Sequence, residues 1–424
     1  MNILFRLALI LIMLSTSDLF TQWVTVSIGG SRSFNSINSP QANYVYAVGD
    51  SGFIKISTTG GTVYVDRSVT PPVNLRSVKA LSTTLAYICG DQGLILKTTN
   101  SGDNWTYIAP GFTTFNYLDM DFINSSTGII VGQQRRFAYT TNSGTNWTSG
   151  QINIPGQLNL NNNCVELNDD GSIFVVSNDT MISGIYNSYI HRSTNGGLNY
   201  TSVFTSTSAI RIGFIDLQFL NNLTGYAAMS SGGIAKTTNG GANWILFSSI
   251  FSLNLKTIYF VDELTGYAIG DNYYHKKTTN GGVNWYFQNT PGSSFMNDNF
   301  FNNVNTGYAT GISGIIMRTV TGGGPIVGIN QTGNEIPENF NLSQNYPNPF
   351  NPSTNISFDI PDASHVKLAI YNILGTEVKV AANEFLSAGK YNVNVDASDL
   401  PSGTYFYRLE AGSFTSTKKM ILIK

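Results

Sequence analysis

One eight-residue segment recurs through the first three quarters of this chain, and its spacing limits the fold more than any other feature. Residues 98–105 read Thr-Thr-Asn-Ser-Gly-Asp-Asn-Trp, and the pattern returns at 140–147, 193–200, 237–244 and 278–285, with looser copies at 57–64 and from Thr319. The starts at 57, 98, 140, 193, 237, 278 and 319 are separated by 41, 42, 53, 44, 41 and 41 residues. A period of about 40–45 residues, each unit read as four short strands, marks a β-propeller blade. The expected fold is all-β: a seven-bladed propeller followed by a small Ig-like sandwich.

One repeat illustrates the parsing. Residues 255–260 alternate as an inner strand, 266–270 form the second, 275–279 the third and 284–287 the outer strand. In the turn before the outer strand, Asn280 can bond nearby backbone N–H groups, Gly282 can take positive φ, and the Thr278 hydroxyl adds a further bond. Trp285 is expected between adjacent sheets. The seventh copy runs out at Pro325 without an Asn-Trp outer strand, whereas Gln22-Trp23-Val24-Thr25-Val26 stands alone ahead of the first inner strand. The N-terminal segment is therefore expected to pair with 314–319 and close the ring, which removes an exposed edge.

The turn motif resembles the Asp-box (BNR) repeat. The longer pattern Gly-Tyr-Ala-x-Gly followed by Lys-Thr-Thr-Asn-Gly-Gly-x-Asn-Trp resembles the propellers of photosystem II assembly and stability factors, which implies a protein-binding, assembly-factor-like propeller. Asn stands at the usual Asp position in the five intact copies, and Thr59 and Thr321 stand there in the outer two. Those departures weaken any transfer of function and leave the structural role of the turn intact.

The two ends carry different signals. Arg6 precedes an apolar stretch at 7–14 and the small residues Ser15-Thr16-Ser17. This reads as a secretory signal peptide over 1–21, too short for a spanning helix of about 20 apolar residues. No transmembrane segment is expected after cleavage. From Glu335 the texture changes to Tyr346-Pro347-Asn348-Pro349-Phe350-Asn351-Pro352 and then alternating runs at 355–360, 366–371, 391–395 and 405–409. Together with Ile370-Tyr371-Asn372-Ile373-Leu374-Gly375, Ser402-Gly403-Thr404-Tyr405 and Thr417-Lys418-Lys419-Met420, this resembles the type A C-terminal sorting domain of the type IX (Por) secretion system. That likeness implies export to the outer surface or medium, with the secretion machinery as the partner of 340–424. The expected organisation is a propeller over 22–324, a linker over 325–339 and the sorting domain over 340–424.

Charge and ligand-forming residues narrow the function. Lys plus Arg at 23 against Asp plus Glu at 25 leaves no basic footprint for nucleic acid. Two cysteines and three histidines (His191, His275, His365) without ligand spacing make no case for a metal or cofactor. Cys89 and Cys164 fall in different blades and read as buried free thiols. Aligning the inner strands places Ser36, Ser77, Asp119, Cys164, Asp216, Thr257 and Asp298 at one equivalent position. Asp119, Asp216 and Asp298 are therefore candidates for acid/base work near the axis; the plainer account is that they bond neighbouring-blade backbone. The turns between second and third strands carry Asp50, Asp91, Arg135, Arg136, Asp271, Tyr273 and Tyr274. These are the candidate ligand contacts, set against the preference of tight turns for Asp and Gly. A sialidase needs an arginine cluster and a Tyr–Glu pair; Glu166 and Glu263 are the ring's glutamates and neither lies beside such a cluster. The sequence favours a secreted, non-catalytic propeller binding an extracellular glycan or protein, with a secreted glycoside hydrolase as the alternative.

Overall fold

A computed structural model describes residues 23–424 apart from 28–30, 71, 109–113, 153–159, 180–185, 209–212, 247–254, 271–274, 284, 289, 292–294, 324–327, 334–335, 363, 387 and 398–399. The signal-peptide segment lies outside the described residues. The chain divides into two compact units, 23–326 and 327–424. Nine four-stranded antiparallel sheets are described, and two of these belong to the C-terminal unit.

The sheets of the first unit repeat one plan. Leu255–Phe260, Gly266–Gly270, His275–Thr278 and Tyr286–Phe287 pair in chain order, close to the strands read from the sequence. Each inner strand packs on the next around the unit, and Met296–Phe301, the last, packs on Phe34–Gln41, the first. The Gly-Tyr-Ala motif follows from this packing. A Cβ at Gly128, Gly225, Gly266 or Gly307 would sit 2.2–2.8 Å from the ring of Phe122, Phe219, Phe260 or Phe301, so only hydrogen fits there. A tyrosine in the second strand stacks on the phenylalanine of the following sheet: Tyr87, which follows Ala86, on Phe122, and Tyr226 and Tyr267, which follow glycine, on Phe260 and Phe301, at centroid distances of 4.4, 3.5 and 3.6 Å. A tyrosine hydroxyl at this position also donates to a carbonyl of the neighbouring sheet, as Tyr267 does to Val304 (3.1 Å) and Tyr308 does to Ala42 (3.0 Å).

The repeated turn is a hydrogen-bonded device. The Thr98 hydroxyl accepts from Gly102 N–H (2.9 Å) and donates to Asn100 Oδ1 (2.9 Å), which accepts from Asn104 N–H (3.0 Å). The same set recurs around Asn142, Asn195 and Asn239. In the first copy Thr59 Oγ1 takes the place of the amide oxygen and accepts from Val63 N–H at 3.0 Å, which explains why threonine is tolerated there. The aromatic that follows packs edge-on against the inner-strand phenylalanine, as Trp147, Trp244 and Trp285 do against Phe122, Phe219 and Phe260.

Val24–Ser27 pairs with Ile315–Thr319, residue 24 opposite 318. Trp23, 1% exposed, meets Phe301 edge-on at 5.7 Å and 88°, the arrangement of Trp147, Trp244 and Trp285. The last motif copy thus receives its aromatic from the opposite end of the chain.

The C-terminal unit is a two-sheet sandwich. One sheet runs Gly328–Gly333, Gly389–Asp396, Ser353–Ile360, Asn341–Leu342; the other runs Glu377–Leu386, Ser364–Tyr371, Gly403–Ala411, Phe414–Leu422. Their inner faces share one apolar core that includes Phe350, Phe358, Leu368, Tyr391 and Leu409. Asn345, buried, donates to Pro347 O and Thr354 Oγ1 at 3.0 Å each, and its N–H donates to the Tyr407 hydroxyl at 2.8 Å. These bonds fix the proline-rich entry segment. The span 325–339, read from the sequence as linker, instead supplies the edge strand Gly328–Gly333, paired along Gly389–Asp396.

Trp23→Ala is expected to destabilise the N-terminal unit by about 3–5 kcal/mol, the usual cost of emptying a tryptophan site. Trp285→Ala should cost a similar amount in chemical denaturation. A Trp23→Ala change that left the midpoint unaltered would show that residue 23 carries no packing load.

Candidate functional site

The position aligned from the sequence is a real structural position. In each sheet of 23–326 the inner strand slips by one residue against the second strand, just before Ser36, Ser77, Asp119, Cys164, Asp216, Thr257 and Asp298. Such a bulge re-aims the side chain that follows it. Here it turns those side chains toward the next inner strand. Val165 N–H donates to Asp119 Oδ2 (2.9 Å), Ile258 N–H to Asp216 Oδ2 (2.8 Å) and Ile37 N–H to Asp298 Oδ2 (2.8 Å). Ser36 does the same for Val78 N–H at 3.3 Å. Hydroxyls fill the remaining valences: Ser77 donates to Asp119 at 2.9 Å and Thr257 to Asp216 at 2.8 Å.

A second tier lies two residues further on, and sequence reasoning missed it. Asn38 accepts from Ala80 N–H (3.1 Å), Asp121 from Leu167 N–H (2.8 Å), Glu166 from Phe219 N–H (3.1 Å) and Gln218 from Phe260 N–H (2.6 Å). Lys79 occupies the equivalent place in its strand and pairs with Asp121 at 2.5 Å. The period of two in a strand was the available signal: residues two apart share a face.

Burial sets the electrostatics of these tiers. It pushes the Asp298 carboxyl up to about 7, with the Asp216 charge adding to the rise, and Asp119 up to about 6, against an ordinary 3.8. Asp216 is raised for the same reason. Glu166 is raised by burial and then by the Asp121 charge. Burial would lower Lys79, but Asp121 and Glu166 outweigh it and hold the ammonium charged. Asp119, Asp216 and Asp298 come from alternate sheets, and their described hydrogen bonds go to neighbouring backbone and to hydroxyl or thiol groups. Cys89 and Cys164 are both free and buried. His191 and His275, lowered by burial to about 3, stay neutral. Among the described residues no group of three or more His, Cys, Asp and Glu is placed to hold a metal ion.

The turn residues form a different surface. Asp50–Gly52, Asp91–Gly93 and Gln133–Arg135 are matching tight turns after the second strands of the first three sheets. They share a face with the connections between sheets, since Gly52 N–H bonds Val73 O at 2.7 Å. Asp50 accepts from Asn35 at 3.0 Å. Asp91 is gripped by Arg76 through two 2.8 Å bonds and by Asn74 at 3.1 Å. Both aspartates therefore hold turns in place. Arg135 departs from the pattern, with φ +63° where the sister turns have Gly52, Gly93 and Gly314 at +73°, +71° and +72°. The Arg136 guanidinium lies 4.6 Å from the Phe115 ring centroid. Asp271, Tyr273 and Tyr274 lie outside the described residues.

Residues 344–424 match the model of the secretion system C-terminal sorting domain. The C-terminal sandwich is a sorting domain. No curated protein sequence matches the chain. Among solved structures, "YCF48 bound to D1 peptide" aligns with a TM-score of 0.58 at 15% identity, covering 71% of this chain and 98% of that one. YCF48 from Cyanidioschyzon merolae aligns at 0.56 and 15%, covering 70% and 98%. Virginiamycin B lyase from Staphylococcus aureus aligns at 0.57 and 12%, with the same coverage. At such identities the likeness establishes fold alone: the first unit is a β-propeller. The sorting domain marks the chain for export to the cell surface or the extracellular space. No helix among the described residues is long and apolar enough to cross a membrane.

The raised carboxyls set a pH dependence. Asp298 and Asp119 titrate near 3.8 when unfolded and near 7 and 6 when folded, so between those values the folded chain binds more protons. Their contribution to stability is full below about pH 4 and is lost as pH rises through 6 and 7. The melting temperature of Asp298→Asn, which keeps an acceptor for Ile37 N–H, should fall less between pH 5 and 8 than that of the parent. Equal slopes in the two proteins would refute the assignment.

Proposed function

We propose that the chain is a secreted, non-catalytic seven-bladed β-propeller, closed by its N-terminal strand and exported by the type IX route, that binds an extracellular glycan or protein. The domain plan is a signal peptide over 1–21, the ring over 22–324, a connecting segment over 325–339 whose strand at 328–333 pairs along 389–396, and a sorting domain over 340–424. Binding falls to the face bearing Asp50, Asp91, Arg135 and Arg136, with Asp271, Tyr273 and Tyr274 as further contacts. One contrast carries this reading. The repeated turns on the opposite face make the same bonds copy after copy, as a structural device does, whereas the second-to-third turns change from Asp-Ser-Gly to Asp-Gln-Gly to Gln-Gln-Arg. Variation on a rigid scaffold is what recognition uses. Arg135 in a conformation its sister turns reserve for glycine supports a role beyond the turn itself. A similar fold solved with a bound peptide is consistent with a protein ligand.

A second reading, a glycoside hydrolase using axial aspartates, draws support from one observation: Asp298 and Asp119 are raised toward the range a general acid needs. Against it, each carboxylate is occupied by the backbone of the next inner strand.

Glycan-array and extracellular-protein binding screens, run beside a polysaccharide-hydrolysis screen, separate the two. With a ligand in hand, Arg136→Ala combined with Tyr273→Ala and Tyr274→Ala should weaken binding by more than about 1 kcal/mol with little change in melting temperature. Hydrolysis abolished by Asp298→Asn would establish the enzyme instead. Truncation after Ile326 should leave a folded propeller that stays cell-associated; normal secretion of that form would contradict the export route.

A further inference from the structure

The fourth sheet departs from the others. The 53-residue spacing between the motifs at 140 and 193 exceeds the 41–44 found elsewhere. The surplus goes partly into strand length: Leu160–Leu167, Ile173–Asp179, Tyr186–Ser193 and Thr201–Ser208 have 8, 7, 8 and 8 residues. The outer strand shows the difference most clearly. Val65–Asp66, Ile245–Leu246 and Tyr286–Phe287 have two residues, and Thr148–Gln151 has four.

Natural sheets protect their edges by keeping outer strands short or by placing lysine, proline or a bulge there. The stretch 201–208, Thr-Ser-Val-Phe-Thr-Ser-Thr-Ser, contains no charge, proline or glycine. One irregularity interrupts it: Ile190 pairs with Phe204 and His191 with Ser202, which leaves Val203 as a bulge. Beyond the bulge, 204–208 runs in regular register against 186–190. Five residues span about 17 Å of edge. Among the described residues no strand pairs with the other side of it. The platform beneath is held by polar bonds rather than left loose: Ser177 donates to Asn162 Oδ1 (2.8 Å), Asn178 to Phe214 O (2.7 Å), and Phe214 N–H to Ser188 Oγ (2.7 Å).

We propose that this edge is a self-association site, at which Thr201–Ser208 of one chain pairs antiparallel with the same strand of a second copy. The occupant follows from charge and symmetry. A strand free of charge lies opposite itself without like-charge repulsion, and a two-fold axis through an antiparallel pair closes the contact at two chains. The exposed Thr205 and Thr207 are β-branched residues suited to cross-strand pairing. The two four-stranded sheets become one continuous sheet across the axis. This inference is independent of the ligand face.

Sedimentation equilibrium of the purified full chain from 1 to 200 µM tests it. The expected result is a reversible monomer–dimer equilibrium that Thr205→Lys with Thr207→Lys weakens at least tenfold, because four lysines then meet at the interface. Thr148→Lys, on the outer strand of the preceding sheet, should leave the equilibrium unchanged. Amide exchange at 201–208 should slow as concentration rises. A monomer throughout the range, or a dimer untouched by the lysine pair, overturns the proposal. So does equal weakening by Thr148→Lys. Should the double variant fold poorly, Thr207→Glu alone provides the same readout.

Discussion

An inner strand of a propeller sheet has a partner on one side only, and the rest of the first unit depends on how its other edge is satisfied. Unpaired backbone N–H groups away from water are costly. In this chain they are met by side chains of the preceding sheet: Ile37 by Asp298, Ala80 by Asn38, Val165 by Asp119, Ile258 by Asp216 and Phe260 by Gln218. A bulge in each inner strand aims the first tier of acceptors, and the two-residue strand period supplies the second. The sheets are therefore joined near the axis by polar bonds and farther out by Tyr-on-Phe stacking. The carboxylates of Asp298, Asp119 and Asp216 each accept from that backbone, and the burial that comes with it is the main cause of their upward shift toward neutrality.

The motif copies were legible because each is local. Thr98, Asn100, Gly102 and Asn104 lie within seven residues, and their bonds can be drawn from the turn chemistry of the sequence alone. The same holds for the blade at 255–287, whose strands fell within a residue or two of expectation. The sorting domain was legible through its motifs, although the strands Glu377–Leu386 and Phe414–Leu422 were not marked from alternation, and the strand at 328–333 lay inside a stretch whose Gly-Gly-Gly-Pro start read as linker.

The candidate site was less legible. Alignment found the residues that follow the bulges but could not say what they bond, since Asp119 and Val165 are 46 residues apart and Asp298 and Ile37 are 261 apart. Asp50 and Asp91 drew attention as polar turn residues, and the structure shows Asp91 neutralised by Arg76, a partner 15 residues upstream that turn chemistry did not indicate. Arg135 stands out only when its φ is set beside those of Gly52, Gly93 and Gly314.

The sequence by itself determined the repeat, the strand order within the sheets of the first unit, the turn device and the nature of the C-terminal unit, because each rests on contacts among residues close in the chain or on a run of motifs. The tertiary structure decided which backbone groups the axial carboxylates bond, that Trp23 fills the place vacant in the last motif copy, and that the outer strand of the fourth sheet is long and has no further strand partner among the described residues. Those outcomes arise from groups brought together across whole sheets. Hydrogen bonding and packing at such separations depend on where the backbone of the next sheet lies, and no local pattern encodes that position.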